Sequence, residues 1–228
     1  MSIDYYVILD FEATCKANDL ISPQEIIEFP CVLMNAKTLL VEDEFHSFVK
    51  PNFNPILTNF CTSLTGIQQS QINTAEPFPE VLKNFQLWMK NHNLLPQDNF
   101  RYEKHKRFLY VTFGDWDLLS ILPNQCDQVG ISVPKHFRHW VNLKQLVVRY
   151  MGVPKRASCL EISEKYMNLK WVGHNHSGID DARNISKMLV TFVKKRFPVY
   201  ITSSLTYKGR KRWKKIQQNW VFKNSENK

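Results

Sequence analysis

Tyr5-Tyr6-Val7-Ile8-Leu9-Asp10-Phe11-Glu12-Ala13-Thr14-Cys15 is the stretch from which the rest of the chain can be read. Its first half is a dense aromatic and β-branched run, the pattern of a strand buried on both faces. It ends in acid. Asp10 and Glu12 stand at i and i+2, which in a strand puts both carboxylates on one face while Phe11 points to the other. Two like charges at the end of a buried strand are costly unless a cation is shared between them. Strand-end acids in solvent would account for the same pair, so the decision passes to the residues further along.

Working outward, Ile26–Met34 is a second strand whose internal Pro30 calls for a bulge or an unpaired N–H. Glu44–Val49 alternates and is predicted to run antiparallel to it across the short Asn35–Leu40 connection. Val81, Leu82, Phe85, Trp88 and Met89 recur at helical spacing after Pro77 and Pro79, which suit a helix start. Phe108–Phe113 reads as another buried strand, and Gly114-Asp115-Trp116-Asp117 opens a helix behind it. Val141–Tyr150 and Cys159–Met167 read as short helices. Asp180–Phe197 is the strongest helix, with acids in its first turn and Lys194-Lys195-Arg196 in its last, complementing the macrodipole. Val199–Thr202 is a short strand candidate. The order describes one α/β domain over residues 1–205 and a basic tail over 206–228.

Composition narrows the class. The 228 residues carry a net charge of +9, are 43% hydrophobic and 13% aromatic, and include only seven Gly, which excludes disordered, fibrous and collagen-like chains. No apolar run approaches the roughly 18 residues of a membrane span, and the N-terminus does not read as a signal peptide. Cys15, Cys31, Cys61, Cys126 and Cys159 form no C-x-x-C pair, so a disulfide scaffold and a thiolate zinc site are disfavoured. An intracellular setting, in cytoplasm, nucleus or both, is the expectation. The charge is unevenly placed: residues 1–193 hold 19 Lys and Arg against 20 Asp and Glu, net −1, while residues 194–228 hold 11 against one, net +10.

Two further acid clusters stand at helix starts: Asp115-Trp116-Asp117 and His176-Ser-Gly-Ile-Asp180-Asp181. Helix-start acids are common as caps, but with Asp10 and Glu12 they supply an all-oxygen donor set suited to a hard cation, Mg²⁺ or Mn²⁺ rather than zinc. A His one turn before the last acid can serve as general base near neutral pH. Two such ions would activate a water and stabilise the leaving oxygen of a phosphodiester.

These motifs, with Glu25-Ile-Ile-Glu-Phe-Pro30 and Leu64-Thr65-Gly66-Ile67, resemble in content and order the DEDDh 3′→5′ exonucleases. The similarity is to the branch holding the histone-mRNA-trimming and RNAi-limiting exoribonucleases and the insect snipper nuclease. The resemblance implies a ribonuclease H-like fold, a five-stranded mixed sheet flanked by helices. It also implies release of 5′-nucleoside monophosphates from 3′ ends of RNA, with DNA as an alternative substrate, by a monomer that needs no membrane. The family pattern, a His, four residues, then the ligand Asp followed by Ala, selects His176 and Asp181-Ala182; His174 would require an acid at Ile179. Asp180 is left as a cap or supporting group. The family's middle ligand follows the aromatic residue, which selects Asp117 over Asp115.

Asp10, Glu12, Asp117 and Asp181 are thereby implied to hold two divalent cations, and His176 to take a proton from the attacking water. Leu64, Thr65 and Gly66 match the segment bordering the terminal nucleotide. Phe11, Phe60, Trp116 and Leu118 are expected around its base, with ordinary core packing the alternative for Phe60 and Trp116. Two other classes stay open, a nuclease-fold binding protein without activity and an endonuclease on the same fold. Lys208-Gly-Arg-Lys-Arg-Trp-Lys-Lys215, with Trp220 beyond, is read either as a substrate-binding tract or as a solvated tail or nuclear import signal. Arg101, Lys104, Lys106 and Arg107 are read as a solvated loop. His46, His92, His105, His136, His139 and His174 are assigned no role.

Overall fold

The computed structural model describes residues 3–19, 21–97, 105–207 and 213–215. The strands are β1 Tyr5–Leu9, β2 Glu12–Ala13, β3 Ile26–Asn35, β4 Val41–Lys50, β5 Glu76–Pro77, β6 Phe108–Thr112, β7 His139–Asn142, β8 Ser203–Tyr207 and β9 Trp213–Lys215. The helices are α1 Asn59–Thr65, α2 Gln69–Thr74, α3 Phe78–Asn91, α4 Leu122–Gln128, α5 Leu143–Met151, α6 Cys159–Glu161 and α7 Gly178–Lys194. Single π-helical turns at Asp117–Ile121 and Ile162–Tyr166 run into α4 and out of α6. The sheet order is β5-β4-β3-β1-β6-β7-β8-β9, with β2 paired to β3. β1, β6 and β7 are parallel, β3 is antiparallel to both β1 and β4, and the short β5 runs parallel to β4. This is the expected mixed sheet of five principal strands, extended by short edge pieces.

Alternation along β1 divides the core. Tyr5, Val7 and Leu9 pack with Phe29 and Leu33 beneath α3, through Val81, Phe85 and Met89. Tyr6 and Ile8 face the opposite layer with Val32 and Met34, under Ile185, Met188, Leu189 and Phe192 of α7. Strands covered on both faces read as continuous apolar runs, which is why β1 and β6 stood out in the sequence.

Pro30 shapes the ladder at the sheet's functional end. Leu9 at the end of β1 stands opposite Cys31 and Glu12 opposite Glu28 in one register against β3, which then shifts between Glu12 and Ala13. Pairing lapses over Asp10–Phe11, which falls opposite the Phe29–Pro30 stretch. Proline has no N–H to give to a ladder, and over this lapse the N–H of Phe11 goes to Asp117 Oδ1 at 2.9 Å. The register shift between β3 and β4 lies at Leu33/Met34 rather than at Pro30.

Several boundaries differ from the sequence reading. The helix expected from Val141 starts at Leu143, because Trp140, Val141 and Asn142 pair with β6 as β7 and the Asn142 side chain caps α5 by accepting from Gln145 N–H. The strand expected at Val199–Thr202 lies at Ser203–Tyr207; Thr202 is instead fixed by its N–H to the Trp140 carbonyl. α7 begins at Gly178 and ends at Lys194, before Arg196 adopts φ 60°. β8 runs across the boundary expected at residue 205, and β9 pairs Trp213 with Tyr207 and Lys215 with Leu205. The remainder of the basic tail, including Lys208, Arg210, Lys211, Arg212 and Trp220, lies outside the described residues, as do Arg101 and Lys104. Among the described residues no helix is long and apolar enough to cross a membrane.

Candidate active site

The carboxyl ends of β1 and β6 and the start of α7 meet at one edge of the sheet. Asp10 follows the last residue of β1, Glu12 opens β2, and Asp117 begins the π-helical turn after β6. Asp181 sits one turn into α7. Chain order separates these residues widely, and the parallel pairing of β1 with β6 brings their ends together.

Glu12, His176 and Asp181 each offer a ligand atom, all within 4.8 Å of one another. Asp181 Oδ2 accepts the backbone N–H of His176 at 3.1 Å, tying the loop residue to the helix residue. Asp181 Oδ1 is buried and has no hydrogen-bond partner. His176 is exposed and holds a left-handed φ of 70°, uncommon for a residue with a side chain.

The electrostatics are those of crowded, partly desolvated carboxylates. Burial, and then the charges of Asp117, Asp181, Glu12 and Glu28, hold the Asp10 carboxyl well above the ordinary range. Glu12 is pushed up to about 9 by burial and then by Asp181, Glu28 and Asp117. Burial raises Asp117 to about 6 against the pull of the Phe11 N–H, and Asp181 to about 7, opposed by the N–H of His176. His176 is lowered by partial burial and by neighbouring His174, which favours the neutral imidazole.

The orphaned Asp181 oxygen and the mutual repulsion of four carboxyls are what a hard divalent cation relieves. The residues present fit such an ion, which Asp10, Glu12, Asp117 and Asp181 would hold.

The spare acids have other partners. Asp115 Oδ1 accepts from Ser203 Oγ at 2.6 Å and from Trp140 Nε1 at 3.1 Å. Asp180 accepts the N–H of His174 at 2.9 Å and pairs with Arg183 at 3.2 Å.

Phe60 and Trp116 are each 41% exposed, too open for core aromatics. Leu64 is half-buried, and Thr65 is buried with its hydroxyl on the Cys61 carbonyl at 2.8 Å. Gly66 ends α1 at φ 77°, and a Cβ there would stand 3.3 Å from the His174 ring, so the α1 terminus borders the loop bearing His176. Phe11 and Leu118 belong to the core cluster, Leu118 completely buried.

Two participants carried no recognisable signal in the sequence. Glu28 is buried and accepts the N–H groups of Gly178 and Ile179, and His46 stands behind it at 2.8 Å. Glu28 belongs to a quoted motif without a role attached; His46 was legible only as one more unassigned histidine.

Fold and site together are those of the ribonuclease H-like exonucleases. The chain belongs to the Exonuclease (RNase T) family, whose pattern matches residues 7–189. Within it the chain is homologous to 3′–5′ exoribonucleases. It is 39% identical over 193 residues to human ERI1 exoribonuclease 3, covering 85% of this chain and 55% of that protein. It is 36% identical over 192 residues to human 3′-5′ exoribonuclease 1, covering 84% of this chain and 53% of that protein. The chain thus spans about half the length of the curated relatives it matches. Among solved structures, the nuclease domain of 3′hExo, a DEDDh family member bound to rAMP, superposes with a TM-score of 0.81 at 34% identity, covering 89% of this chain and 98% of that one.

Proposed function

We infer that this protein is a divalent-metal-dependent 3′→5′ exonuclease that removes 5′-nucleoside monophosphates from the 3′ ends of RNA. The observation that carries the reading is the convergence of Glu12, His176 and Asp181 within 4.8 Å, beside a buried Asp181 oxygen left without a partner. Similarity to exoribonucleases over most of the chain supports RNA as the substrate class.

Two divalent cations, Mg²⁺ or Mn²⁺, when bound supply charge neutralisation at the scissile phosphate and acidify the attacking water. Asp10, Glu12, Asp117 and Asp181 would hold them. The neutral imidazole of His176, exposed at the mouth of the site, accepts the proton of the attacking water. Its backbone N–H, fixed on Asp181, keeps the base beside the carboxylates. Phe60 and Trp116 offer open aromatic faces on which successive bases can stack without regard to sequence. Gly66, free of a side chain at the end of α1, allows a nucleotide close to the backbone. Asp115 and Asp180, engaged elsewhere, serve as structural anchors.

The test is digestion of RNA and DNA labelled at the 5′ end, single-stranded, blunt or overhanging, with free or blocked 3′ termini, in Mg²⁺ and Mn²⁺. A ladder shortening from the 3′ end, stopped by the block and by EDTA, is expected. Cleavage that ignores the block would make the protein an endonuclease, and binding without cleavage under all conditions would make it a binding protein.

A further inference from the structure

Five carboxyls, not four, crowd this end of the sheet. Glu28 lies directly across from Glu12 in the β2–β3 register and is 1% exposed. Both of its oxygens are committed. Oε2 accepts the Gly178 N–H at 2.9 Å, and Oε1 accepts the Ile179 N–H at 3.2 Å and faces His46 Nε2 at 2.8 Å. A carboxylate used in this way is an anchor rather than a ligand. It takes the first two N–H groups of α7, which no helical carbonyl can satisfy.

The anchored residues lie between the two groups that matter. His176 is two residues before Gly178, and Asp181 is three after it. A Cβ at Gly178 would come within 2.5 Å of the Asp10 carbonyl and 3.1 Å of Glu28 Oε2, so the helix start is seated hard against both strands. The outer side of the same turn is held by Arg183, which bridges Glu44 at 2.6 Å and Asp180 at 3.2 Å. Glu44 and His46 alternate along β4, so one face of that strand reaches α7 twice, once through Arg183 and once through Glu28.

We propose that Glu28 is a positioning residue for the reaction: by gripping the first two amides of α7 it sets Asp181 and His176 against Asp10 and Glu12, and its fixed negative charge strengthens cation binding there. The proposal rests on the reading of the site as a metal-dependent exonuclease centre. A cap with no such part in the site would change stability alone.

Glu28→Gln keeps the shape while removing the charge and one acceptor. His46→Ala is the milder variant, since it leaves Glu28 in place and removes only the partner behind it. Mn²⁺ titration of the metal-free proteins by calorimetry, with melting curves and turnover of 3′-unblocked RNA, provides the readouts. Folded Glu28→Gln should bind Mn²⁺ about 10-fold or more weakly, with kcat lowered and KM for RNA little changed; His46→Ala should shift in the same direction by less. Wild-type Mn²⁺ affinity and kcat in folded Glu28→Gln would overturn the proposal. If Glu28→Gln does not fold, unchanged Mn²⁺ affinity in His46→Ala overturns it instead. Wild-type protein that binds Mn²⁺ yet degrades nothing would sink the exonuclease reading alone, because the Mn²⁺ comparison still tests Glu28.

Discussion

Asp181 concentrates the chemistry of this site in one side chain. Burial pushes its carboxyl to about 7 from a model-peptide value of 3.8, the His176 N–H resists, and Glu28 adds to the push. The folded pKa is the higher one, so between these values the metal-free folded protein retains a proton that the unfolded chain has released. The stability contributed by this group is full below about pH 4 and is lost as pH rises towards about 7. In EDTA, wild type should therefore lose stability relative to Asp181→Asn across this window, by on the order of 3–4 kcal/mol. Urea denaturation at both ends of the window measures it, and an unchanging difference between the two proteins would remove the assignment of a retained proton to Asp181. Mn²⁺ should restore wild type preferentially, since an ion that binds only the native state stabilises it by mass action. Asp10→Asn belongs to the same scale. It should lower turnover by more than about 100-fold, the upper range reached even by outer partners of metal sites, while circular dichroism shows the fold retained. Metal-dependent digestion persisting in that variant would reject the assignment of Asp10.

Elements explain why these side chains meet, and why only part of the arrangement could be read from sequence. α7 can approach β1 because residue 178 is glycine. Gly178→Ala would place a Cβ 2.5 Å from the Asp10 carbonyl, so the helix must shift. A cost of about 1–3 kcal/mol is expected, with kcat falling more than KM changes; denaturation curves and steady-state kinetics measure the two. The loop before α1 is held differently, by Glu25, whose carboxylate accepts the N–H groups of Asn52 at 2.6 Å, Phe53 at 3.0 Å and Asn54 at 2.8 Å. Glu25→Ala leaves three amides without their acceptor, and about 1.5–3 kcal/mol should be lost. Because this loop leads into the turn of Phe60, KM for RNA should rise in the variant; an unaltered KM would show that the loop does not govern substrate contact. The acids at strand ends and helix starts were legible because charge interrupts apolar runs there, and Pro30 signalled that some N–H pairing must lapse. β7 was not legible. Four residues carry too little periodicity to be separated from the helix that follows, and pairing with β6 decides the matter. The π-helical turn at Asp117 and the grip of Glu28 on α7 depend on how distant segments meet, which no local pattern encodes. Leu118, a motif position expected at the base, is completely buried, which no local pattern foretold.

At the scale of the whole molecule, the problem is how a polyanion approaches a cluster of carboxylates. Residues 1–193 carry a net charge of −1, so the body offers RNA no general attraction, whereas residues 194–228 carry +10. Under the proposed function, two divalent ions would change the body's sign on loading, adding four positive charges. Before loading, attraction must come from the C-terminal segment. Its β9 strand pairs with β8 on the β7 side of the sheet, and β7 in turn lies beside β6, the strand that leads to Asp117. Replacing Arg210, Lys211 and Arg212 together by Gln tests this division of labour without touching the carboxylates. If all three engage phosphates, the plot of log affinity against log salt for single-stranded RNA should become shallower by about 2, since each single-strand contact contributes about 0.7. Affinity measured in EDTA should fall most at low salt, where released counterions matter most. Turnover of the metal-loaded variant at saturating RNA should match wild type, because the substituted groups lie outside the catalytic set. Filter binding at several salt concentrations separates the outcomes. An unchanged slope would show that these three charges do not touch RNA, and a lowered kcat at saturation would give the tail a part in the chemical step as well as in capture.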